Sequence, residues 1–331
     1  MNLAERIDIL VKLGKYLIAD GPQLKSIKQK TFEKNKWFTQ QFTDLAIKNI
    51  SEQFLSRPKL EEWIKTYHLD DNISAKNIGI VMAGNIPLVG FHDFLCVFVS
   101  GHRQKIKLSD KDDQLFPYIL NKLVEWNPEI SLIVEFADVL KDCDAFIATG
   151  SNNSTRYFNY YFGKYASIIR HNKTSVGLLT GSETESQLEL LADDIHTFFG
   201  LGCRNITSIY VPENYDFVPL LSSFKKYSYF ANHTKYRNNY DYSLALLIMN
   251  NQKYMTTESV ILFENKNIFS PVSQLHYSFY EDKNLALNLL KKSKDVQCIC
   301  GDGEIPFGSA QQPALTDYAD GVDTMQFLLG L

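Results

Sequence analysis

Residues 78–107 read IGIVMAGNIPLVGFHDFLCVFVSGHRQKIK. A short β-branched run, a Gly-Asn-Ile-Pro turn, a mostly apolar segment of helical length and a second short run around Ile106 succeed one another without a hairpin signal. Strand, helix and strand in that order make a βαβ unit, which implies a parallel sheet. The pattern continues outward with DAFIAT at 144–149 and ASIIR at 166–170, separated by helix-like segments, so residues 75–172 read as a Rossmann-like domain. Upstream, Leu3, Ile7, Leu10 and Val11 stand at helical spacing, and residues 1–74 read as an N-terminal helical cap. Downstream, strand and helix signals restart with SVGLLT, SETESQLELLADDIHTFF, ITSIYVP and, near the end, VQCICGD. Residues 173–300 therefore form a second α/β domain, and 301–331, rich in turn residues and then helical, complete the first.

Composition narrows the function. The 331 residues are 45% hydrophobic, enough for a sizeable core, and 34 basic against 38 acidic residues give a net charge of -4 without long charge blocks. That balance argues against nucleic acid or an anionic membrane as the main partner. The start, MNLAERIDIL, has no basic region followed by an apolar core, and His92 and Asp93 interrupt the most apolar segment, so a cytoplasmic protein without a membrane span is expected. Five cysteines occur without a CxxC pair, and no metal site is expected. Cys298 and Cys300, two apart on one strand face, are expected to be core, as are Cys96 and Cys143. The aromatic stripes RYFNYYFG and KKYSYFANHTKY suit either a core or an acyl-chain tunnel.

Three turns can carry chemistry. In FFGLGCRN, Gly200 and Gly202 permit close backbone approach and Arg204 adds positive charge beside Cys203, yet an isolated cysteine is equally a core residue. GNIPLVG lies at the carboxyl end of a strand, where α/β proteins bind ligands, but lacks GxGxxG and the P-loop pattern. Its other reading is a helix entry with Asn85 as cap and Pro87 in the first turn. In ATGSNNSTRYFNYYFG, Gly150 and Ser151 open a helix whose N-terminus suits a pyrophosphate or an ordinary Ser/Asn cap.

Taken in order, these segments resemble the landmarks of the aldehyde dehydrogenase superfamily, most closely its LuxC-like acyl-CoA reductase branch. GNIPLVGFHDFLCVFVSGHRQKIKLSD resembles the family's Asn-bearing loop, helix and Lys-bearing strand. ATGSNNSTRYFNYYFG resembles its Gly-Ser cofactor turn, FFGLGCRN its nucleophile segment, NIFSPV its Glu-Ile-Phe-Gly-Pro motif and IPFGSAQQPALTDYADGVDTMQFL its Pro-Phe-Gly tail. The resemblance runs from about Ile78 to the C-terminus and implies an aldehyde dehydrogenase-like fold, with residues 173–300 as the catalytic domain. It implies Cys203 as thiolate nucleophile and Asn85, with the Cys203 amide, as oxyanion holder. Lys107, Gly150, Ser151 and Asn267 become the contacts of NADPH, or of NADH.

Two departures are informative. Where aldehyde dehydrogenases carry a water-activating glutamate the chain has IRHNK, with Ile169 at that place, and Asn267 replaces the glutamate of the nicotinamide ribose. The implied activity is reduction of an acyl-CoA or acyl-carrier-protein thioester to an aldehyde through a Cys203 thioacyl enzyme, in a homo-oligomer. The chain is shorter than full-length members, chiefly before Ile78. A non-catalytic binding subunit and an acylating aldehyde dehydrogenase stand as the alternative readings. His171 reads as a proton donor or a surface cap, and His102, Arg103 and Lys105 as phosphate contacts or a solvated strand end.

Overall fold

The computed structural model describes residues 1–150 and 152–331, the side chain of Asn152 excepted. Four helices come first. In α1 (Leu3–Ala19), Asn2 accepts from the Glu5 amide at 2.9 Å while Glu5 accepts from the Asn2 amide at 2.8 Å, a capping box. α2 (Pro22–Lys34) opens on proline, α3 (Gln40–Asn49) runs into a wider turn over Ile50–Phe54, and α4 (Arg57–Thr66) again has proline in its first turn.

Then follow β1 (Asn77–Val81), α5 (Phe91–Ser100), β2 (Arg103–Lys107), α6 (Leu115–Trp126), β3 (Val134–Phe136), β4 (Ala145–Thr149), α7 (Asn152–Phe162) and β5 (Ala166–Arg170). The five strands are parallel in the order β3-β2-β1-β4-β5. Met1–Asn172 and Pro313–Leu331 form one compact unit.

The helices of residues 1–74 are therefore part of that unit's core. Leu10, Leu13 and Leu17 share one apolar cluster with Phe94 and Phe98 of α5 and with Met325 and Leu328 near the C-terminus. This explains the apolar run at 91–100. α5 packs against β1 and β2, α1 and the terminal helix Thr324–Leu329, so it is buried on nearly every side.

His102 belongs to the same interior. It is buried, accepts from the Lys76 amide at 3.1 Å and donates to the Leu328 carbonyl at 2.9 Å, which corrects both the phosphate-contact and the solvated-strand-end readings. Lys105, in turn, pairs with Glu135 at 3.2 Å.

The second unit, Lys173–Gln312, contains β6 (Thr174–Leu178), α8 (Glu185–His196), β7 (Ile206–Pro212), α9 (Phe217–Ser223), α10 (Thr234–Met249), β8 (Met255–Thr256), β9 (Ile261–Glu264), β10 (Gln274–Tyr280), α11 (Lys283–Lys292) and β11 (Val296–Gly301). Its sheet runs β11-β6-β7-β10-β9-β8, parallel except for β8. Ser175 pairs with Ile206 and Val176 with Ser208, so Thr207 is an extra residue, a bulge at the start of β7. Cys298 and Cys300 are buried on β11, and Cys96 and Cys143 are buried in the first unit. Of the aromatic stripes, Tyr227, Phe230 and Tyr236 are core, whereas Tyr157, Tyr160 and Tyr161 of α7 face outward.

One ion pair ties the C-terminal segment into the first unit. Arg170, at the end of β5, is buried and donates to the Asp93 carboxylate of α5, to Thr324 Oγ1 at 3.0 Å and to the Ala319 carbonyl at 2.6 Å. Removing one partner of such a pair strands the other charge. Asp93→Ala should therefore cost about 3–5 kcal/mol in urea unfolding, while Asp93→Leu with Arg170→Met should restore most of it. A cost below about 1 kcal/mol for Asp93→Ala would show that solvent reaches the guanidinium.

Candidate active site

In a doubly wound parallel sheet the strand order reverses at one point, and loops diverge there to leave a crevice at the carboxyl ends. In the first unit that point lies between β1 and β4. The loop after β1 carries Asn85, β2 ends on Lys107, and Gly150 follows β4, so the structure sets three of the expected residues along one edge of the sheet. Asn85 and Lys107 are both exposed. Ser151, the fourth, lies outside the described residues.

The geometry at Asn85 corrects the helix-cap reading. α5 begins at Phe91 with Gly90 as its N-cap, and no side chain caps it. Residues 84–90 form a separate turn, in which Leu88 takes a left-handed φ of 57°. Its amide donates to Asp112 Oδ2 at 2.8 Å. A Cβ on Gly84 would lie 2.6 Å from Ser109 Oγ, so the loops after β1 and β2 are in contact only because residue 84 is glycine. At the third strand end, a Cβ on Gly150 would lie 2.7 Å from the Phe158 ring.

In the second unit, α8 leads into a left-handed turn. Phe198 (φ 53°, ψ 27°), Phe199 (φ 57°, ψ 26°) and Gly200 (φ 74°) adopt it in succession. For a residue with a Cβ this conformation costs roughly 1–2 kcal/mol. The surroundings hold it in place. The Phe199 ring packs at centroid distances of 4.6 Å from Phe230 and 4.5 Å from His233. The Asn205 amide group donates to the Thr197 carbonyl at 2.7 Å and to the Asp194 carbonyl at 3.0 Å, and its oxygen accepts from the Gly202 amide at 2.8 Å. Cys203 sits within this braced loop. All five cysteines are described, and Cys203 alone is not buried.

Two further landmarks converge on the same loop. Asp194 accepts from the Gly308 amide at 2.7 Å and the Ala310 amide at 3.1 Å, which anchors the Pro-Phe-Gly turn to α8. The Ile268 carbonyl accepts from Thr207 Oγ1 at 2.5 Å, four residues beyond Cys203, which brings the Asn267 loop to the start of β7. Asn267 is exposed. Its side-chain oxygen accepts from the Phe269 amide at 3.0 Å, and its carbonyl accepts from His276 Nδ1 at 2.5 Å. His171, also exposed, donates its amide to Asp320 at 2.9 Å.

Sequence reasoning missed Asp112, Asp194 and Asn205, each buried and each bonded to the backbone of one of these turns. Their signal was local: Asn205 directly precedes a strand, Asp194 lies on the inner face of an amphipathic helix, and Asp112 follows the Lys107 strand within DKDD. Asp112 is 6% exposed, and its Oδ1 has no hydrogen-bond partner among the described residues. Burial pushes its carboxyl up to about 7. A carboxyl raised on folding contributes stability that is lost as pH climbs from its unfolded value near 4 through 7. Wild type should therefore lose up to roughly 4 kcal/mol between pH 4 and pH 8 relative to Asp112→Asn, which keeps an acceptor for Leu88. Parallel stability-against-pH curves for the two proteins would rule this out.

No family model matches the sequence, and no curated protein matches it either. Solved structures do match. Aldehyde dehydrogenase 21 from Physcomitrella patens, in complex with the reaction product succinate, aligns with a TM-score of 0.63 at 14% identity, covering 91% of this chain and 74% of that one. The NAD+ complex of an aldehyde dehydrogenase from Bacillus cereus aligns with a TM-score of 0.61 at 10% identity, over 91% of this chain and 72% of that one. The aldehyde dehydrogenase KauB from Pseudomonas aeruginosa gives a TM-score of 0.61 at 11% identity, over 91% and 72%. A parallel five-stranded sheet in one unit and a six-stranded sheet, parallel except for β8, in the other thus constitute an aldehyde dehydrogenase-like fold.

Proposed function

We propose that this protein reduces an acyl thioester, carried on coenzyme A or on an acyl carrier protein, to an aldehyde. The observation that carries the reading is the state of Cys203: the one cysteine of five that is not buried stands in a strained and fully braced loop. Strain of this kind persists where the surroundings over-determine it, and it clusters at reacting groups.

The Cys203 thiolate attacks the thioester carbonyl, forming a carbon–sulfur bond and an oxyanion. The Cys203 amide holds that oxyanion, and the resemblance of its turn assigns Asn85 a share. Collapse expels the coenzyme A or carrier thiolate, which takes up a proton, and leaves the acyl group on Cys203. Where the resemblance puts a water-activating glutamate, the stretch Ile169–Lys173 has no carboxylate, which favours reduction over hydrolysis of the thioester on Cys203.

The strand-end edge of the first unit suits a nicotinamide dinucleotide: Gly84 lets the loops after β1 and β2 meet closely, and Lys107 and Gly150 stand at the ends of β2 and β4, the two strands that flank β1. Lys107, Gly150 and Ser151 would hold it, and the resemblance implies Asn267 as a further contact. Such a group, NADPH or NADH, supplies a hydride when bound. Release of the aldehyde returns Cys203 to the thiolate. Among the described residues no helix is long and apolar enough to cross a membrane, and no cluster of three His, Cys, Asp or Glu residues could hold a metal.

Incubation with radiolabelled acyl-CoA, followed by mass mapping, should place one acyl group on Cys203. Cys203→Ala should abolish labelling and lower NADPH oxidation by more than about a thousandfold. Asn85→Ala should slow acylation about 100- to 1,000-fold. Equal labelling and reduction in wild type and Cys203→Ala would end the nucleophile assignment.

A further inference from the structure

The hydrogen bonds around Cys203 define the two peptide planes that flank it. The plane between Gly202 and Cys203 contains the Gly202 carbonyl and the Cys203 amide, which point in opposite directions. The Gly202 carbonyl accepts from the Asn205 backbone amide at 3.0 Å, so the Cys203 N–H is aimed away from Asn205. One peptide earlier, the Gly202 N–H is held by the Asn205 side chain at 2.8 Å. The plane between Cys203 and Arg204 is set by the Cys203 carbonyl, which accepts from Ser175 Oγ at 3.0 Å.

Ser175 is anchored in turn. It is wholly buried on β6, its amide donates to the Asn205 carbonyl at 3.1 Å, and its hydroxyl also lies 2.9 Å from Cys298 Sγ. Asn205 is likewise wholly buried and makes three side-chain bonds, all to main chain between residues 194 and 202.

From this we infer that Asn205 and Ser175 are positioning residues for Cys203: between them they fix the torsions on both sides of its Cα, and so the direction of its amide. The inference rests on the reading of Cys203 as the acyl acceptor. Neither side chain touches the acyl group. Asn205 fixes the entry of the loop through Thr197 and Gly202, and Ser175 fixes its exit through the Cys203 carbonyl. An oxyanion donor acts only when aimed at the place where charge develops, and a displacement of about 1 Å costs on the order of 100-fold in rate. A plain glycine-rich turn would leave the amide free to rotate. Here rotation of either plane breaks a hydrogen bond to a buried group.

The test is single-turnover acylation of the full chain by acyl-CoA, followed by intact mass, beside alkylation of Cys203 by iodoacetamide and thermal unfolding. Ser175→Ala should lower the maximal acylation rate about tenfold and Asn205→Ala about 100-fold. The acyl-CoA concentration at half-maximal rate should change less than about threefold, and iodoacetamide should still alkylate Cys203 in both variants, because the thiol remains and only the amide has lost its aim. Ser175 is the safeguard should Asn205→Ala fail to fold, since it loses a single hydroxyl. Acylation of Ser175→Ala at the wild-type rate would overturn the inference. So would a fall in acylation matched by an equal fall in alkylation and in folded fraction, which marks a purely structural role. Failure of wild type itself to acylate would instead overturn the reading of Cys203 and is distinguishable from both.

Discussion

Parallel strands cannot be joined by a tight turn, and this constraint organises the molecule. Links between the parallel strands of the first sheet must cross a face, and those after β1, β2 and β4 carry helices α5, α6 and α7, whose strand-to-helix loops all lie at the carboxyl edge. With β1 between β2 and β4, its loop and theirs leave the sheet side by side, and Asn85, Lys107 and Gly150 fall along one edge although 65 residues of chain span them. The same crossings require α5 to lie between the sheet and a second layer of helices. Its apolar sequence is the consequence.

The second unit uses the opposite device. Cys203 lies before β7, at the amino end of its strand, where no divergence of loops makes a crevice. Position there has to be made bond by bond. Three successive left-handed residues turn the chain sharply after α8, and the Phe199 ring and the Asn205 amide oppose its relaxation. Two aromatic residues in that conformation are costly, and the cost is offset by burying both rings. The bulge at Thr207 serves the same loop, because the extra residue lets one hydroxyl reach Ile268 while Ser208 stays in register with Val176.

These two devices differ in how far they can be read from sequence. The βαβ order at 78–107 is a pattern of hydrophobic period and turn residues, and the doubly wound sheet follows from it. The landmark turns were legible for the same reason, since a glycine or asparagine at a strand end is a local signal. The role of residues 1–74 was not, because an amphipathic helix shows that it has a buried face but not what covers that face. Leu10 and Leu17 meet a helix some 80 residues downstream. Nor could spacing show that Asn85 stands in a turn separate from α5, since the left-handed φ falls on Leu88, a residue with no preference for it. Asp112, Asp194 and Asn205 share this limit. Each satisfies backbone groups that become neighbours only after folding.

The proposed choice of Cys203 among five cysteines is a question of solvation. A thiol reacts as its thiolate, and an anion in an apolar interior loses more hydration than neighbouring dipoles return. Burial pushes the thiols of Cys96 and Cys143 up, and Cys300 is raised by its contact with Cys298 and by burial. Their packing therefore disfavours the thiolate in each of the three. Cys203 is the one of the five that is only partly buried, but a loop that reaches solvent is ordinarily mobile. On the proposed reading the strained turn, Asn205 and Ser175 resolve the conflict: the side chain is left partly exposed while the main chain on both sides is held by wholly buried groups. A thiol that is accessible and a backbone that is not free to move are separate requirements, and in this loop they are met by different atoms of the same residue.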